Sequence, residues 1–291
     1  MEDVGALIGK GFEIWKRNLN LCIPFLLNLV FSIVALLPLA VAFLAILGFS
    51  NDLSSLESAL ESASPEELLS MLGDELFILI AAFLLVILVI SLISAFFTAG
   101  AIGMAKEALE TGKSTTATMW HQGRRHFWNM FVASIIMGII VVAGFAFLLP
   151  GIIYLLPSFD PGPETVALLV AGIMLLIIYA LIISLLLATV PYALVVDSLG
   201  AVAAIKASID FFRYNKFDVF ILWLVIVAIS IGLQMIGSSI SAGDTVTYQP
   251  LSILTGIINL FVFAPLSTLW WTRLYLSRTG RLVEQENWPQ A

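Results

Sequence analysis

Six long apolar stretches, separated by shorter polar connectors, dominate the chain: Leu21–Phe49, Leu76–Met104, Met130–Leu156, Val166–Val196, Val219–Gly237 and Leu251–Trp271. The runs are continuous rather than alternating, which excludes a strand barrel. A helix needs about 20 residues, at 1.5 Å each, to cross a hydrocarbon core of about 30 Å. The first four stretches exceed that length, so they are expected to tilt, kink or project past the headgroups. Pro24 and Pro38 lie in the first, Pro150 in the third, Pro191 in the fourth and Pro265 in the sixth. Each removes a helical hydrogen bond and predicts a kink. The expected fold is an all-α polytopic membrane protein with six transmembrane helices, one membrane domain over residues 1–291.

The polar connectors on one side share a pattern. Three times an amphipathic stretch with aromatics leads into basic residues and then an Asn or Asp as the next span begins. These are Phe12–Asn18, Trp120–Asn129 and Ile209–Asp218. The returning spans also match loosely, at Thr98-Ala99-Gly100, Thr189-Val190-Pro191 and Phe263-Ala264-Pro265. The chain therefore reads as three parallel hairpin repeats, approximately 1–104, 105–196 and 197–280, each preceded by an in-plane amphipathic helix. Repeats sharing one orientation predict a pseudo-threefold axis along the membrane normal. In the first in-plane helix Val4, Leu7, Ile8, Gly11, Phe12 and Trp15 form an apolar face, with most of the charged residues off it. Such a helix lies at headgroup level.

On the opposite side, Ser50–Glu75 is long and acidic. Ser64-Pro65-Glu66-Glu67 has the form of an N-cap, a first-turn proline and first-turn acids. Leucines at helical spacing in each half predict two short helices on the outer face. They are read as a packed cap, with a lid or a cation-binding surface as the alternative.

Composition agrees with the pattern. The 291 residues are 60% hydrophobic and only 11% charged, too little charge to clothe a water-soluble globule of this size. The opening Met1-Glu2-Asp3 does not resemble a cleaved leader, so the first span is expected to stay as an anchor. The single cysteine, Cys22, forms no internal disulfide and reads as packing.

The net charge of −7 hides a segregation. All thirteen basic residues fall at four places on one side: Lys10, Lys16 and Arg17; Lys106, Lys113, Arg124 and Arg125; Lys206, Arg213 and Lys216; Arg273, Arg278 and Arg281. Ten of the twenty acids join them, leaving +3 on that side and −10 on the other. The positive-inside rule makes the basic side cytoplasmic, with both termini and a short tail, 277–291, on that side of a plasma membrane. Clustered Lys and Arg gain about 1 kcal/mol each from an anionic leaflet. Indoles prefer the same boundary, and Trp15, Trp120, Trp128, Trp223, Trp270 and Trp271 all fall near it. The candidate lipid-headgroup contacts are Lys16, Arg17, Arg124, Arg125, Arg213 and Lys216 with Trp15, Trp120 and Trp128. Ordinary topological anchoring is the alternative for the same residues.

Catalytic chemistry is harder to find. No ionisable residue occupies the middle of a span, which counts against proton- or ion-coupled transport. Asn28, Ser91, Ser94, Tyr179, Ser184, Gln234 and Asn259 are read as interhelical hydrogen-bonding groups. Gly5–Gly11 lacks the spacing and the Ser or Thr of a phosphate loop. His121 and His126, five apart, do not share a face as a metal pair would. Ser241–Asp244 lies in a polar loop with no second intramembrane acid. No catalytic residue, metal ligand or cofactor is assigned, and no nucleic-acid partner is expected.

Two segments, Val196–Ser208 and Thr272–Leu276, resemble the membrane domain of glycerophosphoryl diester phosphodiesterases and related stand-alone six-helix proteins of bacteria and archaea. The resemblance implies the six-helix fold across nearly the whole chain. The phosphodiesterases carry a soluble catalytic domain after the membrane part, whereas here about twenty residues follow the last span, so no activity is carried over. The expected function is a non-enzymatic scaffold or lipid-interacting module with anionic inner-leaflet lipids as partners. The alternative is a transporter or channel for a small molecule or lipid. Protein partners and oligomeric state are not legible.

Overall fold

The computed structural model describes residues 2–46, 75–155, 162–238 and 249–282, and every regular element among them is helical. Helix α1 spans Val4–Arg17, and a 3₁₀ turn at Leu19–Cys22 leads into α2, Ile23–Ile46. Then come α3 (Glu75–Thr111), α4 (Thr116–Ala143), α5 (Leu149–Leu155), α6 (Pro163–Leu187) and α7 (Val190–Val196). The series ends with α8 (Ala201–Tyr214), α9 (Lys216–Ser238), α10 (Gln249–Ile258) and α11 (Ala264–Arg278). Among the described residues, six runs are long and apolar enough to cross a membrane: Leu19–Val41, Ile80–Thr111, Thr116–Leu155, Pro163–Val196, Lys216–Ile236 and Ile253–Arg278. Each overlaps one of the six apolar stretches, and the third starts at Thr116 rather than Met130. Most of Ser50–Glu75, Asp160, Ser241–Asp244 and the last nine residues lie outside the described residues.

Four of the five prolines fall where a helix is interrupted, and the first, Pro24, follows the 3₁₀ turn Leu19–Cys22. A 3₁₀ segment, Gly144–Leu148, precedes Pro150; α6 stops two residues before α7 starts with Pro191 in its first turn; a π segment, Asn259–Phe263, precedes Pro265. Proline has no N–H to give the carbonyl four residues back. For Pro265 that carbonyl belongs to Phe261. It is satisfied instead by the Trp15 indole N–H at 3.2 Å and the Cys22 thiol at 2.9 Å. Pro38 alone sits inside a continuous helix.

The chain forms two compact units, Leu26–Ser94 and the remainder, Met1–Phe25 with Ala95–Ala291. The first consists of most of α2 and the first half of α3. Its described helices carry no ionisable residue from 26 to 46 or 76 to 94, and Val34, Leu37, Phe83 and Leu84 are exposed, as suits lipid-facing helices.

The larger unit holds every basic residue and, among the described residues, all of the buried ones. Its core is the stretch Pro265–Leu276 of α11, buried throughout except for half-buried Ser267. Ala95–Leu109 of α3 and the short α7 are nearly as well covered. Further along, α4, α5 and α6 form a hairpin. Gly172 lies so close to the Phe147 carbonyl that a Cβ there would stand 2.5 Å from its oxygen. The Tyr179 hydroxyl donates to the Ile140 carbonyl. Small residues of this kind let membrane helices approach closely.

Three helices seat against their neighbours in the same register. Asp3, Thr115 and Gly200 are the N-caps of α1, α4 and α8, all with extended backbone. Four residues on, Leu7, Met119 and Ala204 are fully buried. Eight residues on stand Gly11, Gly123 and Ser208. Gly11 abuts the Trp270 ring of α11, and Gly123 abuts the Phe96 ring and carbonyl of α3. The Ser208 hydroxyl bonds the Leu186 carbonyl at 2.7 Å and the Thr189 hydroxyl at 2.8 Å.

No separate in-plane helix covers Trp120–Asn129, because α4 runs unbroken from Thr116 to Ala143. Asn18 and Asn215 end α1 and α8 by leaving helical backbone, each donating its amide to the carbonyl four residues back, Ile14 or Phe211, at 3.0 Å. The position of α4 matching them from the N-cap is the buried Met130, which has no polar group to offer, and Asn129 is exposed one residue early.

Candidate functional site at the basic end

The basic residues fall into two classes by environment. The first class is neutralised. Arg273 grips the Glu2 carboxylate with Nε at 3.0 Å and Nη2 at 2.8 Å, and both side chains are under 10% exposed. Lys10 approaches the same carboxylate at 3.1 Å. Burial alone would raise the Glu2 pKa, but the hydrogen bonds and charges of Arg273 and Lys10 prevail and hold it below its ordinary value. Arg278 binds Asp218 at 2.7 Å and also donates to the Glu2 backbone carbonyl at 2.9 Å. Arg281 pairs with Asp197, which accepts from the Tyr275 hydroxyl at 2.7 Å. These contacts tie the N-terminal segment, the α7–α8 turn and the start of α9 to the end of α11.

The second class is exposed. Lys16 lies 4.6 Å over the Phe12 ring. Arg213 stands 3.7 Å from Asp210, both in solvent, a geometry that contributes little. Among the described residues no carboxylate lies within ion-pair distance of Lys16, Arg17, Arg124, Arg125 or Lys216.

The nine predicted contact residues are not one cluster. Lys16, Arg17 and Trp15 end α1; Arg213 and Lys216 flank the α8–α9 junction beside exposed Tyr214 and Phe217. On α4, Trp120, Arg124 and Arg125 do come together, and with His121 they line an open depression of about 500 Å³. Trp120 packs against Phe96 and Phe97 at ring-centroid distances of 5.2 and 6.4 Å. Trp128 is 67% exposed, resting on Phe127 and Phe131.

Other tryptophans behave differently from the interfacial expectation. Trp270 and Trp271 are buried, and the Trp270 indole donates to the Ile8 carbonyl at 3.2 Å, fixing α1 on α11. The Trp15 indole is likewise spent on Phe261. His121 was absent from the predicted contacts; its spacing of one and four residues from Trp120 and Arg125 was the available signal.

The fold and this basic end define an all-helical integral membrane protein with six candidate spans. Residues 24–276 match the family described as Domain of unknown function (DUF7847), and the chain belongs to that family. It is 25% identical to an uncharacterised protein of Archaeoglobus fulgidus, over 95% of this chain and 96% of that one. No solved structure matches. These comparisons carry no link to the phosphodiesterase membrane domain and indicate no enzymatic family.

Proposed function

We propose that this protein is a non-enzymatic, lipid-interacting membrane module whose basic end lies at the cytoplasmic face of the plasma membrane and engages anionic lipid headgroups. The observation that carries the reading is the division of the cations. Arg273, Arg278 and Arg281 are matched by buried or half-buried acids, whereas Lys16, Arg17, Arg124, Arg125 and Lys216 are exposed and have no carboxylate partner among the described residues. A charge left unpaired at headgroup depth gains from anionic lipid, while a paired one does not. The shared seating of α1, α4 and α8 supports three parallel repeats, in which each leading helix rests on the returning span of the preceding copy. The clamp around Glu2 supports a scaffold role, since it ties the start of the first copy to the end of the third.

The test is lipid selection by the purified full chain. After reconstitution in equal parts anionic and zwitterionic phospholipid, the lipid co-purifying with it is expected to be enriched in the anionic species. Salt is expected to weaken that enrichment. Equal retention of both lipids at low salt contradicts the reading. Orientation is tested separately by labelling single cysteines placed near each terminus from outside intact cells; labelling at either contradicts cytoplasmic termini.

A further inference from the structure

The three leading helices differ in one respect that bears on ligand chemistry. Near its cations α1 carries Glu13, and α8 carries Asp210 beside Arg213. The first half of α4, Thr116–Trp128, contains no acid at all. Instead Trp120, His121, Arg124 and Arg125 form two adjacent rows, 120 with 124 and 121 with 125, each pair neighbours on the helix surface. The four side chains wall the depression of about 500 Å³. Trp120 is held from behind by Phe96 and Phe97.

We infer that this depression binds a terminal phosphate, a phosphomonoester presented by a lipid headgroup. The inference rests on the lipid reading above for the source of the phosphate; the chemistry rests on the donors. Two guanidinium groups supply five N–H donors each in planar forks, and the indole is donor-only. That exceeds what the two oxygens of a carboxylate accept. A phosphomonoester carries about −1.5 to −2 charges at neutral pH and three terminal oxygens, so it engages both forks together. A phosphodiester offers less charge and one oxygen fewer. The nearby acids are already engaged: Glu110 lies 3.9 Å from Lys106, and Glu107 accepts from the Thr115 amide at the start of α4.

The full chain in zwitterionic nanodiscs tests this, with three probes: a phosphatidic acid, a phosphatidylglycerol at twice the mole fraction, and inorganic phosphate in solution. The readout is lipid retained in native mass spectra. The wild type is expected to retain phosphatidic acid over phosphatidylglycerol by about tenfold, one charge-assisted hydrogen bond's worth. Arg124→Gln with Arg125→Gln is expected to abolish that preference. Arg124→Lys with Arg125→Lys keeps the charge and the fold but removes the forks, and is expected to lose most of the preference while keeping general anionic retention. Arg213→Gln with Lys216→Gln is expected to leave the preference intact. Equal retention of the two lipids by the wild type, or a preference untouched by the α4 substitutions, overturns the inference while leaving the broader lipid reading standing. Displacement of phosphatidic acid by millimolar inorganic phosphate overturns the lipid source. Loss of all anionic selectivity in the wild type instead refutes the broader reading.

Discussion

Two helices, α11 with 15 residues and α6 with 25, invert the usual relation between polarity and burial. The α11 stretch Pro265–Leu276 contains two tryptophans, threonines, a tyrosine and an arginine, and is almost wholly buried. Between Val166 and Ile182, α6 is nearly all aliphatic, and Val166, Val170, Ile173, Met174, Ile177 and Ile178 among others are exposed. In lipid this is the expected outcome. Hydrocarbon solvates leucine as well as another leucine does, so apolar faces gain little by packing together. Cohesion must come from polar groups that lipid cannot satisfy and from close van der Waals fit. Both occur at the basic end, in the Glu2–Arg273 pair, the Trp270 and Trp15 indoles, and the glycine seats of α1 and α4, and along α6 they recur at Gly172 and Tyr179, where it meets α4 and the 3₁₀ segment.

The sharpest way to break this contrast is Arg273→Ala. It leaves the buried Glu2 carboxylate with Lys10 alone and is expected to cost about 3 kcal/mol. Thermal unfolding in detergent should show a large fall, while Ile177→Ala on exposed α6 should stay within about 0.5 kcal/mol. Replacing both partners, Glu2→Gln with Arg273→Met, is expected to recover much of the loss. Next in size are the seats. Gly11→Leu and Gly123→Leu force atoms into Trp270 and Phe96 and are expected to cost about 1–3 kcal/mol each. Gly138 and Gly232 have nothing within 4 Å of a built Cβ, so alanine at either should be neutral or slightly stabilising. Trp15→Phe removes one donor from the Phe261 carbonyl but leaves Cys22, and is expected to cost about 1 kcal/mol.

The smallest effect is the pH dependence of the clamp. The folded Glu2 pKa lies below its ordinary value of 4.5. Its stabilising contribution is therefore complete above the unfolded value and is lost as pH falls through the folded one. Melting curves of the wild type and Glu2→Gln should differ at neutral pH and converge on the acid side. A gap that widens on acidification contradicts the assignment of Glu2 as the clamp's anion.

The spans were legible because continuous apolar runs leave few alternatives at membrane depth. The interruptions ahead of Pro150, Pro191 and Pro265 were legible for the same local reason, a missing N–H. The division of the cations was not. Glu2 and Arg273 are 271 residues apart, and no periodicity pairs them. The +3 balance of the basic side showed only that some cations must remain uncompensated. Trp270 and Trp271 carry the same composition signal as an interfacial indole, yet packing of α1 onto α11 buries them. Asn129 misled because its neighbours resemble those of Asn18 and Asn215, whereas counting from the N-cap places Met130 at the point where the other two helices end.

The central claim is that the exposed cations, and not the clamped ones, meet anionic lipid. Its most direct measurement is anionic-lipid retention by a chain carrying Arg124→Gln, Arg125→Gln, Arg213→Gln and Lys216→Gln, with thermal unfolding recorded on the same sample. At about 1 kcal/mol per removed charge, retention is expected to fall by well over tenfold while the unfolding temperature stays close to that of the wild type. Undiminished retention in a folded quadruple variant would contradict the account.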